Sequence, residues 1–273
     1  MEKMTGIMAG WLIMSATEAK KDYGFVVENG KIVEIVPNEK LLGKEGVIDA
    51  RDSIVCPTFT NTHTHFYETL AHGATEPNLS LKPLLEDFWW PVVENRQTLE
   101  TIRISTEYSA LESMTSGVTL CNDILEAPFA ERGKRLLTEE AVIRKAGMKA
   151  VLSLESNERI STENGYENLE ENKNFILKMR ETGNSDIRGT ICTHTTFSCS
   201  TPFLMKAAGM ARDMDEYIQI HMNEGPDEDK CCVDKYGMTT AELYKKIGFW
   251  EGGKAWANQC SCMEPVELNI MGQ

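Results

Sequence analysis

Histidine is scarce in this 273-residue chain, with five in all, and basic residues are outnumbered by acidic ones, 28 against 42. The resulting formal net charge of −14 excludes the basic footprint that nucleic acid or an anionic membrane surface requires of its partner. Long apolar runs are missing too. The opening "MEKMTGIMAGWLIMSATEAKK" holds one short hydrophobic stretch soon followed by charge, too brief to span a bilayer and unlike a secretory signal. The eight cysteines are not spaced as a disulfide framework. Cys231 and Cys232 are adjacent, and Cys260 and Cys262 form a lone C-x-C without a second half, so neither reads as a zinc-finger motif. A glycine-rich phosphate loop after a first strand is also lacking, which argues against a doubly wound nucleotide-binding sheet. Together these absences predict a cytoplasmic protein with reduced thiols that binds neither nucleic acid nor membrane.

What is present begins as β-structure. In "YGFVVENGKIVEIVP" two β-rich runs flank Asn29-Gly30, a pair suited to a type I′ turn because both central residues need positive φ. "GVIDARDSIVCPTF" predicts a further strand, a turn near Asp52 and a short buried run. A small β-sandwich part is therefore expected over residues 1–56.

From Pro57 onward the pattern alternates strand and helix. Apolar runs at "CPTFTNTH", "GVTLCNDI", "GMKAVLSLE", "DIRGTICTHT", "EYIQIHMNE" and "KAWANQCSC" alternate with helical stretches near 98–116, 132–146, 163–181, 200–214, 238–248 and 264–271. Gly117, Gly147 and Gly248 fall at or near helix ends, where a left-handed cap favours glycine. Six βα units in succession imply an α/β fold with a parallel sheet, of which a (β/α)8 TIM-type barrel over 57–273 is the expected form. A complete barrel needs eight strands, so the reading is of an incomplete one.

The chemistry centres on "FTNTHTHF", residues 59–66. In an extended strand, residues two apart project to one face, so His63 and His65 converge on one point. His194 and His221 fall at the ends of the fourth and fifth predicted strands, the rim where such barrels carry their active sites. Converging neutral imidazoles suit one divalent metal ion, zinc foremost and iron(II) as the alternative. Glu224, just beyond the strand carrying His221, is placed to shuttle a proton. Trp89 and Trp90 in "EDFWWPVVENR" could wall a flat heterocycle. Each feature has a plainer reading on its own: an exposed H-x-H, a core histidine bonded to a carbonyl, a solvated acid, tryptophans anchoring a helix. His72 reads as a loop residue. The metal-site reading rests on their common rim.

"DARDSIVCPTFTNTHTHFYETLAHG", "THTTFSCS", "IQIHMNE" and "PVELNIMGQ" resemble, in order, the amidohydrolase superfamily, and within it the cytosine deaminase-like aminohydrolases and chlorohydrolases. The resemblance implies a metal-dependent hydrolytic deaminase acting on an amino-substituted nitrogen heterocycle. It implies His63, His65 and His221 as metal ligands, Glu224 as acid/base, and His194 as a substrate contact. The family's histidine at the end of strand six is replaced here by Gln259 in "ANQC", which can hydrogen-bond but cannot carry a proton in the useful pH range. The family's fourth ligand, an aspartate on strand eight, lies beyond the six predicted units. The alternative expectation is therefore a truncated, catalytically impaired relative that binds metal or ligand without efficient turnover. Association into a homo-oligomer is left open.

Overall fold

Asn29 and Gly30 both adopt positive φ, 51° and 76°, and they join strands β3 (Tyr23–Glu28) and β4 (Lys31–Pro37) as an antiparallel hairpin with Glu28 opposite Lys31. The computed structural model describes residues 5–74, 78–183 and 185–272, in two compact units, Met1–Phe59 and Thr60–Gln273. In the first unit β1 (Gly6–Ile13) pairs antiparallel with β2 (Ala19–Lys21) and β3 along one edge and parallel with β5 (Val47–Val55) along the other. Buried Asn38 pairs both backbone groups of Ala9, with its Nδ2 2.8 Å from the carbonyl and its Oδ1 accepting from the amide at 3.3 Å. The turn expected at Asp52 does not form. Instead β5 runs through it, and the register slips between the Ala9–Ala50 and Trp11–Ile54 pairs, a bulge that takes up the extra residues without ending the strand. The Asp49 carboxylate, 2.8 Å from Arg51 Nε, holds the bulged segment, whose residues are largely exposed and not the buried run expected.

In the second unit β6 (Phe59–Thr64), β7 (Val118–Leu125), β8 (Lys149–Leu154) and β9 (Ile187–Gly189) form one sheet, and β10 (Ile191–Thr193), β11 (Ile218–Met222) and β12 (Ala255–Gln259) another. The pairs from β7 to β9 and from β10 to β12 are parallel. Only Thr190 separates β9 from β10, and the Ser156–Thr193 bridge carries the pairing across this break. The helices are α1 (Leu81–Leu84), α2 (Leu99–Thr115), α3 (Arg135–Ala146), α4 (Thr162–Thr182), α5 (Thr201–Asp213), α6 (Pro226–Tyr236), α7 (Thr240–Lys246) and α8 (Pro265–Met271). Gly147 ends α3 with φ 74° in the left-handed region, as its sequence position suggests. Helix α6 was not anticipated. Its "PDEDKCCVDKY" buries only Glu228 and Cys232, so the apolar stripe that betrays a helix is missing.

The interior of the strands is partly polar. Asn122 on β7 donates to Gln219 Oε1 on β11 at 2.7 Å, Asn258 on β12 donates to the same oxygen at 3.1 Å, and Gln219 Nε2 donates to Ser153 Oγ on β8 at 3.0 Å. Asn122 also reaches the Thr62 carbonyl on β6 at 2.9 Å. This layer links five strands across the interior, and the end of β12 lies near the end of β6, with Gln259 beside His63.

Candidate active site

Just beyond the polar layer, the ends of β6 and β11 bring three histidines together. The ring centroids of His63 and His65 are 4.9 Å apart, those of His63 and His221 4.9 Å, and those of His65 and His221 5.2 Å. One ring nitrogen from each lies within 4.8 Å of the others. His65 Nδ1 is 2.8 Å from the Ile124 carbonyl, which accepts only, so Nδ1 carries the proton and Nε2 presents a lone pair. That Nε2 sits 3.2 Å from His221 Nε2. Burial, with the neighbouring His221 charge as the second cause, pushes His63 down to about 4 and His65 well below its ordinary value. Burial also lowers His221, against the opposing pull of Glu224 and Glu68. The rings are therefore neutral at pH 7, and neutral imidazole is the ligand form. Buried His63 Nδ1 has no hydrogen-bond partner among the described residues, and the donor set fits one borderline divalent cation.

Backbone geometry explains how Glu224 reaches the same place. Asn223 adopts φ 49°, a conformation that asparagine tolerates better than most residues, and it turns the chain directly after β11. Its amide donates to Glu228 Oε2 at 2.6 Å, and its side chain to Glu267 Oε2 at 2.7 Å. Glu228 is fully buried and also accepts from the Thr196 amide and hydroxyl at 3.1 and 3.2 Å, so it clamps the loops after β10 and β11 together. Burial lifts its pKa to about 7 despite these donors. Truncation by Glu228→Ala leaves the Thr196 and Asn223 amides without acceptors, and a loss of about 1–3 kcal/mol in urea unfolding is expected; an unchanged midpoint would remove the clamp from the account.

A cavity of about 260 Å³ opens onto these groups, lined by His65, Glu68, Trp89, Glu155, His194, His221 and Glu224 among others. Trp89 donates from Nε1 to Glu68 Oε1 at 2.9 Å, and burial lifts Glu68 to about 7. His194 is pinned by Ser198 Oγ at 2.6 Å from Nδ1, and its ring meets His221 edge-on at 5.5 Å. Trp90 does not line this cavity. It lies in the helical stretch Leu85–Val93, with its ring 5.2 Å from the Arg159 guanidinium and 6.2 Å from His194. Gln259 does reach the cluster, with Nε2 3.2 Å from His63 Nε2. It does so because Gln259 and Cys260 take successive φ values of 69° and 55°, which break the strand's alternation. His72 lies outside the cluster, on a second cavity of about 470 Å³ that His63, His65 and Gln259 also line. The cavity of about 500 Å³ between α3 and α4 contains none of these residues.

Residues 54–273 match the Amidohydrolase family. The chain belongs to that family. Among its amidohydrolase relatives, the 5'-deoxyadenosine deaminase of Methanocaldococcus jannaschii is 29% identical over 255 residues, covering 93% of this chain and 58% of the relative. The 5'-deoxyadenosine deaminase of Methanosarcina barkeri is 30% identical over 249 residues, 91% of this chain and 55% of the relative. This chain thus spans less than two thirds of their length. Among solved structures, a zinc-bound adenosine deaminase from Xanthomonas campestris superposes with a TM-score of 0.84 at 18% identity, covering 98% of this chain and 60% of that one. Guanine deaminase from C. acetobutylicum, with guanine bound, gives 0.83 at 17%, covering 99% and 65%. These superpositions identify the α/β barrel-type fold. No helix among the described residues is long and apolar enough to cross a membrane.

Sequence reasoning missed Glu155. It follows β8 directly, and its Oε1 lies 2.9 Å from His221 Nδ1 and 3.9 Å from His194 Nε2. The signal was available, since "LSLES" places an acid at the end of a barrel strand, the position from which His194 and His221 were chosen. Burial, followed by the nearby charge of Glu126, holds the Glu155 carboxyl well above the ordinary range.

Proposed function

We propose that this amidohydrolase is a metal-dependent aminohydrolase that removes the amino group from an aminopurine nucleoside lacking a 5'-phosphate. The observation that carries the reading is the convergence of His63, His65 and His221 beside the cavity that Glu224 also lines. In this reading the three imidazoles hold one divalent cation, zinc or iron(II), whose Lewis acidity makes water a competent nucleophile near neutral pH. Glu155, facing His221 Nδ1, orients that ring as a ligand when the Nδ1 proton points at the carboxylate. Glu224 accepts a proton from the attacking water and delivers it to the ring nitrogen beside the reacting carbon. It then passes the remaining proton of that water to the amine, so the C–N bond breaks, ammonia leaves and the water oxygen stays on the ring as a carbonyl. Trp89 offers an aromatic wall and His194 a polar contact for the substrate. Trp90 supports the site from behind, through Arg159 and His194.

The substrate class draws on the deaminase names of the relatives and on the cavity itself. No lysine or arginine is among its described lining residues, so the charge-assisted contacts that a phosphate requires are not supplied by them. Gln259 stands beside His63 as a hydrogen-bonding group only, which favours slower turnover than a histidine would support. The test is ammonia release from 5'-deoxyadenosine, adenosine and adenosine monophosphate by the zinc-loaded chain, before and after chelation. Release from the two nucleosides that stops on chelation is expected, with the monophosphate a poor substrate. Ammonia release unaffected by chelation, or none from any aminopurine, would overturn the reading.

A further inference from the structure

The ring of His221 stands between two sets of ligand atoms. On one side are His63 and His65. On the other are Glu155 and His194, and one ligand atom from each of Glu155, His194 and His221 also lies within 4.8 Å of the others. All three are buried, at 2–4% exposed.

The proton positions sharpen this arrangement. His65 donates through Nδ1 to the Ile124 carbonyl, so its Nε2 accepts. The 3.2 Å contact between the two Nε2 atoms is then a hydrogen bond only if His221 carries its proton on Nε2. That leaves the His221 Nδ1 lone pair facing the Glu155 carboxyl, 2.9 Å from Oε1. Consistently, His221 Nδ1 has no hydrogen-bond partner among the described residues. His194 repeats the pattern: Ser198 occupies its Nδ1 at 2.6 Å, and its Nε2 points to the same carboxylate at 3.9 Å. Two imidazole nitrogens and a carboxyl, all shielded from water, converge on one spot, where a proton held by Glu155 or a bound cation can separate the acceptors.

We propose that Glu155, His194 and His221 form a second divalent-cation position, bound through Glu155 Oε1, His194 Nε2 and His221 Nδ1. Its mixed carboxylate and imidazole donors suit a harder ion such as Mn²⁺, whereas the three imidazoles of the first position suit zinc or iron(II). A neutral imidazole has only one lone-pair nitrogen. His221 therefore serves one position at a time: with a cation on Nδ1, its Nε2–H donates to His65; with a cation on Nε2, its Nδ1–H donates to Glu155. The cavity that Glu155, His194 and His221 line together gives access. The inference goes beyond the proposed deaminase, which needs only the first position.

The test measures Mn²⁺ binding by electron paramagnetic resonance and Co²⁺ binding, as a stand-in for zinc, by visible absorption. Both are followed in the full chain, in Glu155→Gln, and in the double variant His63→Ala/His65→Ala, with far-UV circular dichroism as a check on folding. Glu155→Gln is expected to weaken Mn²⁺ at least tenfold more than Co²⁺, and the double variant to lose Co²⁺ while keeping Mn²⁺ within about threefold. If Glu155 only orients His221, its loss weakens both ions alike, by about 10–100-fold, and the proposal is overturned. It is equally overturned if the full chain binds no Mn²⁺, which would mean that a proton alone fills the position. Should the double variant fail to fold, the Glu155→Gln comparison decides by itself. Absence of deamination in the full chain would count against the proposed function and leave this result standing.

Discussion

Replacing Glu224 by glutamine is expected to lower deamination by about 10²–10⁴-fold, the usual contribution of a positioned acid/base group, with zinc content essentially unchanged. Glutamine keeps the size and hydrogen-bonding ends of the side chain but cannot take up or release a proton in the working pH range. The group is on the cavity wall with His65 and His221 and outside both clusters of potential ligand atoms, so its loss should strike the chemical step and not retention of the ion. The loop that carries it is held by Asn223 through Glu228 and Glu267, contacts the substitution does not touch. Zinc per chain by atomic absorption and single-turnover ammonia release separate the outcomes. Full activity would take Glu224 out of the mechanism, and loss of zinc would make it a ligand.

The histidine cluster was legible because its signals are local. An H-x-H on a strand projects to one face, and the rim rule places His194 and His221 beside it. The hairpin at Asn29-Gly30 and the cap at Gly147 were legible for the same reason, since each depends on backbone preferences of one or two residues. What the sequence concealed depends on contacts between distant positions. Glu228 and Glu267 look like ordinary acids in an acidic chain, yet both are fully buried, Glu228 accepting from the Thr196 and Asn223 amides and Glu267 from the Asn223 side chain and the Ala241 and Glu264 amides. Asn122, Gln219 and Asn258 look like polar interruptions of strands, and only their mutual bonding makes them a layer across the interior. The unbroken β5 misled for another reason: a bulge and a turn draw on the same short polar residues, and pairing with β1 decides between them.

Gln259 shows where the two levels meet. Strand alternation would place Asn258 and Gln259 on opposite faces, but Asn258 bonds inward to Gln219 and Gln259 reaches inward to His63. Two successive left-handed residues reconcile them, at a conformational cost of roughly 1–3 kcal/mol each. Strain held at the rim, one residue past the polar layer, fits a position kept for contact with the histidine cluster.

The largest expected effect on stability comes from Arg159. Its guanidinium donates to Glu126 Oε1 at 2.8 Å and to Asn95 Oδ1 at 2.8 Å, and lies 3.0 Å from Glu94 Oε2. All three charged side chains are at most 4% exposed. Burial holds Glu94 and Glu126 above the ordinary carboxylate range, and Arg159 works against that shift in both. Arg159→Met keeps the bulk of the stem and removes the cation, leaving two buried carboxylates facing each other; a loss of about 3–5 kcal/mol is expected at pH 8. The pH dependence follows from the sign of the shifts. A carboxyl whose folded pKa is raised binds its proton more readily in the folded chain than in the unfolded one, so stability falls as pH rises from the unfolded value, 4.5, through the folded one. Without Arg159 the folded values rise further and the fall becomes steeper. The difference between variant and parent should therefore be largest at pH 8 and shrink as pH is lowered toward 5, where protonation relieves the uncompensated charge in both chains. Urea unfolding at the two pH values measures it, and a difference that stays constant or grows on acidification would show that Arg159 stabilises through packing on Trp90 and not through its charge.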